Sequence, residues 1–375
     1  MKIENFVNSL NTYGNFFTGV PDSLLSPLCD YLMQTYGISD NHIICSNEGN
    51  CVALAAGYHL ATGRVPVVYL QNSGIGNIVN PSTSLLHHKV YGIPCIFVVG
   101  WRGEPGVHDE PQHRFQGEVT IKLLEDLDIK TFVISKETTD DELKVKMEEF
   151  GSLLHSGKSI ALVVRKGVLE TDKKVKYTNN NKLVREDVIK HITAITGKDI
   201  VVSTTGKTSR ELFETREANR QSHKYDFLTV GSMGHSSSIA MGIAIQKPGT
   251  KIWCIDGDGA ALMHMGAMAV IGKISPKNLV HIVINNNAHE SVGGAPTPTD
   301  KMDLVKVAEA CGYPNAESVD NINSLDIALN RAKNSNTLSL IEVKTAIGSR
   351  SDLGRPTTTA KENRELFMDY LKECN

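Results

Sequence analysis

Long apolar runs are missing from this sequence. No stretch of about eighteen successive apolar residues occurs, which excludes an ordinary membrane-spanning helix. Basic clusters are missing too. With 39 Lys and Arg against 42 Asp and Glu, the formal net charge is -3, and no Lys/Arg arm or stripe stands out. Such a chain offers no positive field to a polyanion, so nucleic acid is not expected as a partner. The seven cysteines are odd in number, form no C-x-x-C, and several lie inside apolar runs such as residues 94–100. That argues against a disulfide framework or zinc ribbon and for buried free thiols. No cysteine has a neighbouring motif that would lower its pKa, so a cysteine nucleophile is not expected. The start, Met1-Lys2-Ile3-Glu4-Asn5, carries an acidic residue and no apolar signal core. A cytoplasmic protein is expected.

What is present points to an α/β protein. At 375 residues the chain exceeds the usual size of one core, and two domains are expected. Short Val/Ile-rich runs alternate with longer segments of helical period, the pattern of parallel sheets wrapped by helices. Strands are expected at residues 66–70, 94–100 and 159–166, and again at 199–204, 251–256, 279–285 and 338–344. Residues 170–182 are polar and without apolar periodicity, so they read as an exposed linker between domains at 1–169 and 183–375. Both domains are expected to be doubly wound. No sequence repeat of fixed period relates them.

In the second half, Lys251-Ile-Trp-Cys-Ile-Asp256 runs into Gly257-Asp258-Gly259-Ala260 and a helical stretch. Glycines let the backbone approach an anion, and a new helix offers free N–H groups to phosphate. Asp258 would repel phosphate unless a hard divalent cation bridged the two. Asn286 follows Asp258 by 28 residues, after one more helix and strand, in the turn Asn285-Asn-Asn-Ala288. Neighbouring parallel strands would bring both turns to one carboxyl edge, where open α/β sheets place ligands. Taken singly, Gly-Asp-Gly is an ordinary turn. The pairing points to a metal-bridged diphosphate. Thr205-Gly206-Lys207 also follows a strand and opens a helical run, so it is either a second diphosphate grip or a simple N-cap.

In the first half, Glu48 precedes Cys51-Val-Ala-Leu-Ala-Ala-Gly57, a helix apolar nearly all round and therefore buried. Burial would raise the Glu48 pKa. On its own, Glu48 would equally suit a carboxylate complementing the helix dipole. The segment 102–114 gathers Arg102, His108, Asp109, Glu110, His113 and Arg114 just past a strand, and Asn72 and Ser73 lie in a Gly-rich turn on the same edge. Cations and proton donors together suit a small anionic substrate, though a charged loop is often merely solvated.

The GDG…NN pairing resembles the cofactor motif of thiamine-diphosphate enzymes. The resemblance implies that Asp258, the Asn286 side chain and the Ala288 carbonyl hold Mg2+, with Asn287 departing from the smaller residues usual there. It implies cofactor contacts from Gly257, Gly259, Ala260, Thr205, Gly206 and Lys207. In Gly231-Ser-Met233-Gly-His235, the Gly231 carbonyl would accept from the aminopyrimidine, and Met233 would wedge between the two cofactor rings. Glu48 matches the glutamate that shares a proton with the pyrimidine. With no room for a middle domain, the chain is similar over nearly its full length to the phosphonopyruvate decarboxylase family, and next to the sulfopyruvate decarboxylases. That implies decarboxylation of a small anionic 2-oxo acid, 3-phosphonopyruvate, to phosphonoacetaldehyde in phosphonate biosynthesis. Arg102, His108, Arg114, Asn72 and Ser73 would bind substrate, and His113 or Asp109 would deliver a proton. The family also implies a homodimer or higher homo-oligomer with active sites between subunits. The rival readings are a sulfopyruvate decarboxylase and a non-catalytic cofactor-binding subunit. His87-His88 is expected on a helix surface, outside the site.

Overall fold

The computed structural model describes residues 1–374 and resolves two compact units, Met1–Lys176 and Tyr177–Asn375. The first holds strands β1 (Phe17–Gly19), β2 (His42–Ile44), β3 (Val67–Gln71), β4 (Ile96–Gly100), β5 (Lys130–Ile134) and β6 (Ile160–Val164). They form one parallel sheet in the order β2-β1-β3-β4-β6-β5. β4 and β6 are buried along their whole length, and their residues Ile-Phe-Val-Val and Ile-Ala-Leu-Val-Val suit a strand covered on both faces. The helix Ile3–Asn11 packs on this sheet because Ile3, Phe6, Val7 and Leu10 recur at helical spacing and share one buried face.

The second unit contributes β7 (Ile200–Ser203), β8 (Asp226–Leu228), β9 (Ile252–Gly257), β10 (Leu279–Asn285), the short hairpin β11 (Ala288–His289) and β12 (Ala295–Pro296), then β13 (Asn315–Val319) and β14 (Ser339–Lys344). Its main sheet, also parallel, runs β13-β14-β10-β9-β7-β8. Set the hairpin aside and count each unit's strands from its own start. Both sheets then read second, first, third, fourth, sixth, fifth. The order reverses between β1 and β3 in one unit and between β7 and β9 in the other, and at such switch points the carboxyl ends of the strands leave a crevice for ligands.

All seven strands expected from the sequence are present. Five more join the sheets: β1, β2, β5, β8 and β13. β1, β2 and β8 are only three residues long, and the edge strands β5 and β13 are largely unburied, so neither type carries a long apolar run. Residues 171–182 form neither helix nor strand. The Val175 N–H donates to Asp30 in the first unit (3.1 Å), and the Asn179 and Asn181 side chains donate to the Thr345 carbonyl in the second (2.9 and 3.0 Å). His87 and His88 do not lie on a helix. They follow the helical turns ending at Leu86, stack on each other at 4.5 Å, and face Asp128, because the helix breaks at extended His87. Among the described residues, no helix is long and apolar enough to cross a membrane.

Candidate active site

In the first unit, the turns following β1, β2, β3 and β4 supply the polar groups at the carboxyl edge. Asn47 caps the helix Glu48–Thr62, its side chain accepting from the Gly49 N–H at 2.7 Å, and so fixes Glu48 as the first helical residue. The Glu48 side chain is buried, lies against Gly74 and accepts from Asn77 Nδ2 at 2.6 Å. Any Cβ at position 74 would collide with the Glu48 carboxyl. Burial raises the Glu48 pKa against the opposing Asn77 hydrogen bond. It is a carboxyl able to hold a proton.

Arg102 extends from β4 and is fixed at both backbone ends. Its N–H donates to Asn72 Oδ1 (3.2 Å) and its carbonyl accepts from Asn72 Nδ2 (2.8 Å). Asn72 is fully buried and also donates to Thr120 at 2.9 Å. The guanidinium grips Asp109 in a two-point pair, Nε to Oδ2 at 2.7 Å and Nη2 to Oδ1 at 2.6 Å, and donates to Ser23 at 3.1 Å. Burial opposes ionisation of Asp109, but Arg102 and the N–H groups of Glu110 and Gly103 overcome it and hold the carboxyl well below its usual range. A carboxylate so held does not deliver a proton near neutrality. In this arrangement Asp109 fixes the orientation of the Arg102 guanidinium. His113 is buried with its Nδ1 unpartnered, and burial, helped by the Arg102 charge, lowers its pKa. Both effects favour the neutral imidazole. His108 and Arg114 lie exposed. Ser73 is also exposed and accepts from Gln71 at 2.6 Å.

Asp22 went unnoticed in the sequence. It follows β1 in Gly19-Val-Pro-Asp22, is completely buried, and lies so close to Gly100 that a Cβ there would strike its carboxylate. Burial pushes its pKa up to about 6, with Arg102 pulling the other way. Val-Pro-Asp has no motif value, and only the adjacency of β1 to the switch point singles it out.

In the second unit, Thr205 Oγ1 accepts from the Gly231 N–H at 3.0 Å and ties the turn after β7 to the turn after β8. Gly206, at φ 96°, caps the helix Lys207–Ala218 in a conformation that suits glycine. Met233 and His289 flank Gly259: a Cβ there would meet His289 at 3.1 Å and Met233 at 3.4 Å. Gly257 and Ala260 bracket Asp258 and Gly259 where β9 passes into the helix Asp258–Met263. The structure therefore gathers Thr205, Gly231, Met233 and the Gly-Asp-Gly turn at one edge. Lys207 points elsewhere in its engagement: its Nζ donates to Glu290 at 3.1 Å, where Arg185 also donates at 2.7 Å. Lys207 and Arg185 thus share Glu290, and Arg185 is paired with Glu211 as well.

Asp258 is buried, and burial raises its carboxyl to about 6 against hydrogen bonds from Thr297 (2.5 Å) and Thr299 (3.1 Å), both to Oδ2. Asn286 donates through Nδ2 to Glu290 at 2.8 Å, which fixes its amide, and its Oδ1 accepts from the Ala288 N–H at 3.1 Å. Opposite Ala288 in the hairpin stands Pro296, which has no N–H to give to the Ala288 carbonyl. Asn287 takes the left-handed φ of 57° and donates to Thr299 at 2.9 Å, so the larger residue is accommodated. Thr297, Thr299 and Glu290 were not legible from spacing, because the hairpin brings them back from outside the motif. A buried carboxyl, an amide oxygen and a main-chain carbonyl are hard oxygen donors of the kind that bind Mg2+. His289 Nε2 and the Thr204 and Thr229 hydroxyls, all buried, have no hydrogen-bond partner among the described residues. These residues fit a polar, metal-bridged ligand.

Comparison with known proteins gives a family match in each half of the chain. Residues 7–129 match the N-terminal TPP binding domain of thiamine pyrophosphate enzymes, and residues 204–343 match their C-terminal TPP binding domain. The chain is 34% identical to the phosphonopyruvate decarboxylase of Streptomyces viridochromogenes, over 94% of this chain and 90% of that protein. It is 32% identical to the phosphonopyruvate decarboxylase of Streptomyces hygroscopicus, over 95% and 90%. It is 29% identical to the sulfopyruvate decarboxylase of Methanosarcina acetivorans, over 82% of each.

Proposed function

We infer the reaction from the premise that the chain belongs to the thiamine pyrophosphate enzymes and, within them, to the phosphonopyruvate decarboxylase family. It decarboxylates 3-phosphonopyruvate to phosphonoacetaldehyde and carbon dioxide, a step that builds phosphonates. The observation that carries this reading is likeness to phosphonopyruvate decarboxylase over 94% of the chain, joined to a Glu48 carboxyl whose pKa is raised by burial. Sulfopyruvate decarboxylation is the second reading, favoured by the 29% identity to the Methanosarcina enzyme.

Residues 1–169 take the pyrimidine role and residues 183–375 the diphosphate role, with 170–182 joining them. Asp258, Asn286 and Ala288 would hold Mg2+, and Thr205, Gly206, Lys207, Gly231, Met233, Gly257, Gly259 and Ala260 would line the cofactor. Bound thiamine diphosphate supplies the electron sink that accepts the pair released as carbon dioxide leaves. Glu48 holds the proton that the pyrimidine ring must gain and lose. Arg102, held in a fixed orientation by Asp109 and Asn72, presents its guanidinium edge to the anionic tail of the substrate. His113 passes a proton to the product carbon as the imidazolium, after the imidazole has first taken a proton up from solvent. His108, Arg114 and Ser73, all exposed, bear on the substrate only when it is bound. The enzyme works as a homo-oligomer, at least a dimer.

Release of carbon dioxide from phosphonopyruvate, with added thiamine diphosphate and Mg2+, tests the reading. Comparable turnover of sulfopyruvate would favour the second reading, and turnover of neither would refute both.

A further inference from the structure

The central strands β9 and β10 carry three side chains of metal-ligand type that the reaction above does not use. Cys254 and Asp256, two residues apart on β9, point to one face of the sheet, and His281 on β10 pairs in register with Cys254 on that face. All three are buried. Cys254 Sγ, an Asp256 carboxylate oxygen and a His281 ring nitrogen lie within 4.8 Å of one another. Asp256 Oδ2 stands 3.5 Å from His281 Nε2, yet neither atom has a hydrogen-bond partner among the described residues. The other polar atom of each side chain is engaged. Asp256 Oδ1 accepts from the Gly257 N–H at 3.0 Å, and His281 Nδ1 lies 3.3 Å from the Tyr313 hydroxyl. Two polar atoms therefore face each other beside a thiol, in an apolar core that includes Ile252, Leu279, Val283 and Leu340. Such groups are costly to bury unless something binds between them.

We propose that Cys254, Asp256 and His281 bind one Zn2+ ion that braces the carboxyl end of β9. Zinc bonds of about 2.0–2.3 Å at tetrahedral angles set neighbouring ligand atoms roughly 3.3–3.7 Å apart, and the 3.5 Å between Asp256 and His281 falls in that span. A proton shared by a carboxylate and an imidazolium would instead draw the two atoms to about 2.7–2.9 Å, and it would give Cys254 no part. With Nδ1 donating to the Tyr313 hydroxyl, the Nε2 lone pair is free for the metal, the outer contact that orients metal-bound histidines. Thiolate and carboxylate together cancel the two positive charges, so the core holds a neutral cluster. The mixed sulfur, nitrogen and oxygen set suits zinc, whereas Mg2+ takes oxygen donors. On binding, the Cys254 thiol gives its proton to solvent, and a water fills the fourth position. Asp256 leads directly into the Gly257-Asp258-Gly259 turn, so the ion fixes the strand from which that turn springs. A second group of ligand type, His87, His88 and Asp128, is less suited, because Lys158 lies 3.5 Å from the Asp128 oxygen and its charge opposes a cation.

Metal analysis of the whole protein, after dialysis against EDTA to strip loosely held ions, tests the site. The expected result is one zinc per chain. Protein unfolded, freed of metal and refolded with Co2+ should show thiolate-to-cobalt charge-transfer absorption in the near ultraviolet, which an ion held by the oxygen donors around Asp258 does not give. Cys254→Ala should lose that absorption and the zinc, whereas Asp258→Ala and His88→Ala should keep both. Tyr313→Phe should weaken zinc binding by about ten- to a hundredfold, as loss of an outer contact does. Zinc should also raise the thermal midpoint of the refolded apo-protein. The wild-type zinc content and cobalt spectrum decide the matter even where a variant does not fold. Protein that holds no zinc as purified and takes up none on refolding would overturn the proposal and leave a plain Asp256–His281 ion pair. Cobalt bound without the thiolate band, or zinc retained by folded Cys254→Ala and lost from His88→Ala, would place the ion elsewhere and overturn it equally.

Discussion

At the residue scale, the site is built from carboxyls whose surroundings pull them in opposite directions. Glu48 is raised by burial and Asp109 is held ionised by Arg102. Replacing Glu48 with Gln keeps the shape and removes only the proton relay, so cofactor binding should persist while C2 deprotonation slows by about two orders of magnitude or more. Hydrogen–deuterium exchange at C2 of bound cofactor reads this directly, and an unchanged rate would remove Glu48 from the mechanism. Asp22 gives a prediction of different sign. Its folded pKa of about 6 exceeds the ordinary value of 3.8, so between those values the folded state binds more protons than the unfolded state, and stability falls as pH rises. Below about pH 4 both states are protonated and no penalty exists. Above about 6 it is complete, on the order of 3 kcal/mol for roughly two pKa units. Asp22→Asn should therefore raise the urea midpoint at pH 7.5 and leave it nearly unchanged at pH 4, while lowering activity if the charge serves the reaction. Equal midpoints at both pH values would show that Asp22 is not strained. Glu48 and Asp258 could be singled out in the sequence because each stands in a local pattern. Asp22 could not, since its importance comes from contact with Gly100, which is 78 positions along the chain.

At the element scale, the helix Lys207–Ala218, which presents the Gly206 turn, is pinned to β8 by a pair with no exposure at all. Arg216 meets Asp226 through two hydrogen bonds of 2.9 Å, and its Nη1 donates to the Gly197 carbonyl and to Gln221 Oε1. Removing one partner leaves a buried charge uncompensated. Asp226→Ala should cost about 3–5 kcal/mol, whereas Asp226→Ala combined with Arg216→Met should recover most of that loss. Chemical denaturation of both variants checks it, and equal destabilisation would mean the pair itself, not the stranded charge, carries the energy. The same strand illustrates the limits of periodicity. β9 and β10 are long, apolar and central, so their residues alone dictate them. β8 is three residues, Asp-Phe-Leu, and its carboxylate is tolerated only because Arg216 waits for it on a neighbouring helix. Nothing local encodes that partnership.

At the scale of the whole molecule, two sheets of the same strand order carry different chemistry, a buried carboxyl of raised pKa in one unit and a set of hard oxygen donors in the other. No sequence repeat relates the two units, because a shared topology needs only apolar strands in the same succession and places no demand on the residues beyond them. One cofactor needs both chemistries. The proposed oligomer supplies them from two chains, Glu48 from one and Asp258 from its partner, so that a dimer has two sites. Each single variant, Glu48→Gln or Asp258→Ala, then inactivates both sites of its own dimer. When the two dead preparations are mixed and exchange subunits at random, half of the dimers become hybrids. In a hybrid, one site receives both lesions and the other receives neither. Activity should reappear at about a quarter of wild type for equal amounts, since half the dimers hold one good site of two. If each site were instead completed within one chain, every site would keep a lesion. A mixture whose subunit exchange is verified by mass spectrometry and which still releases no carbon dioxide would rule out the shared site.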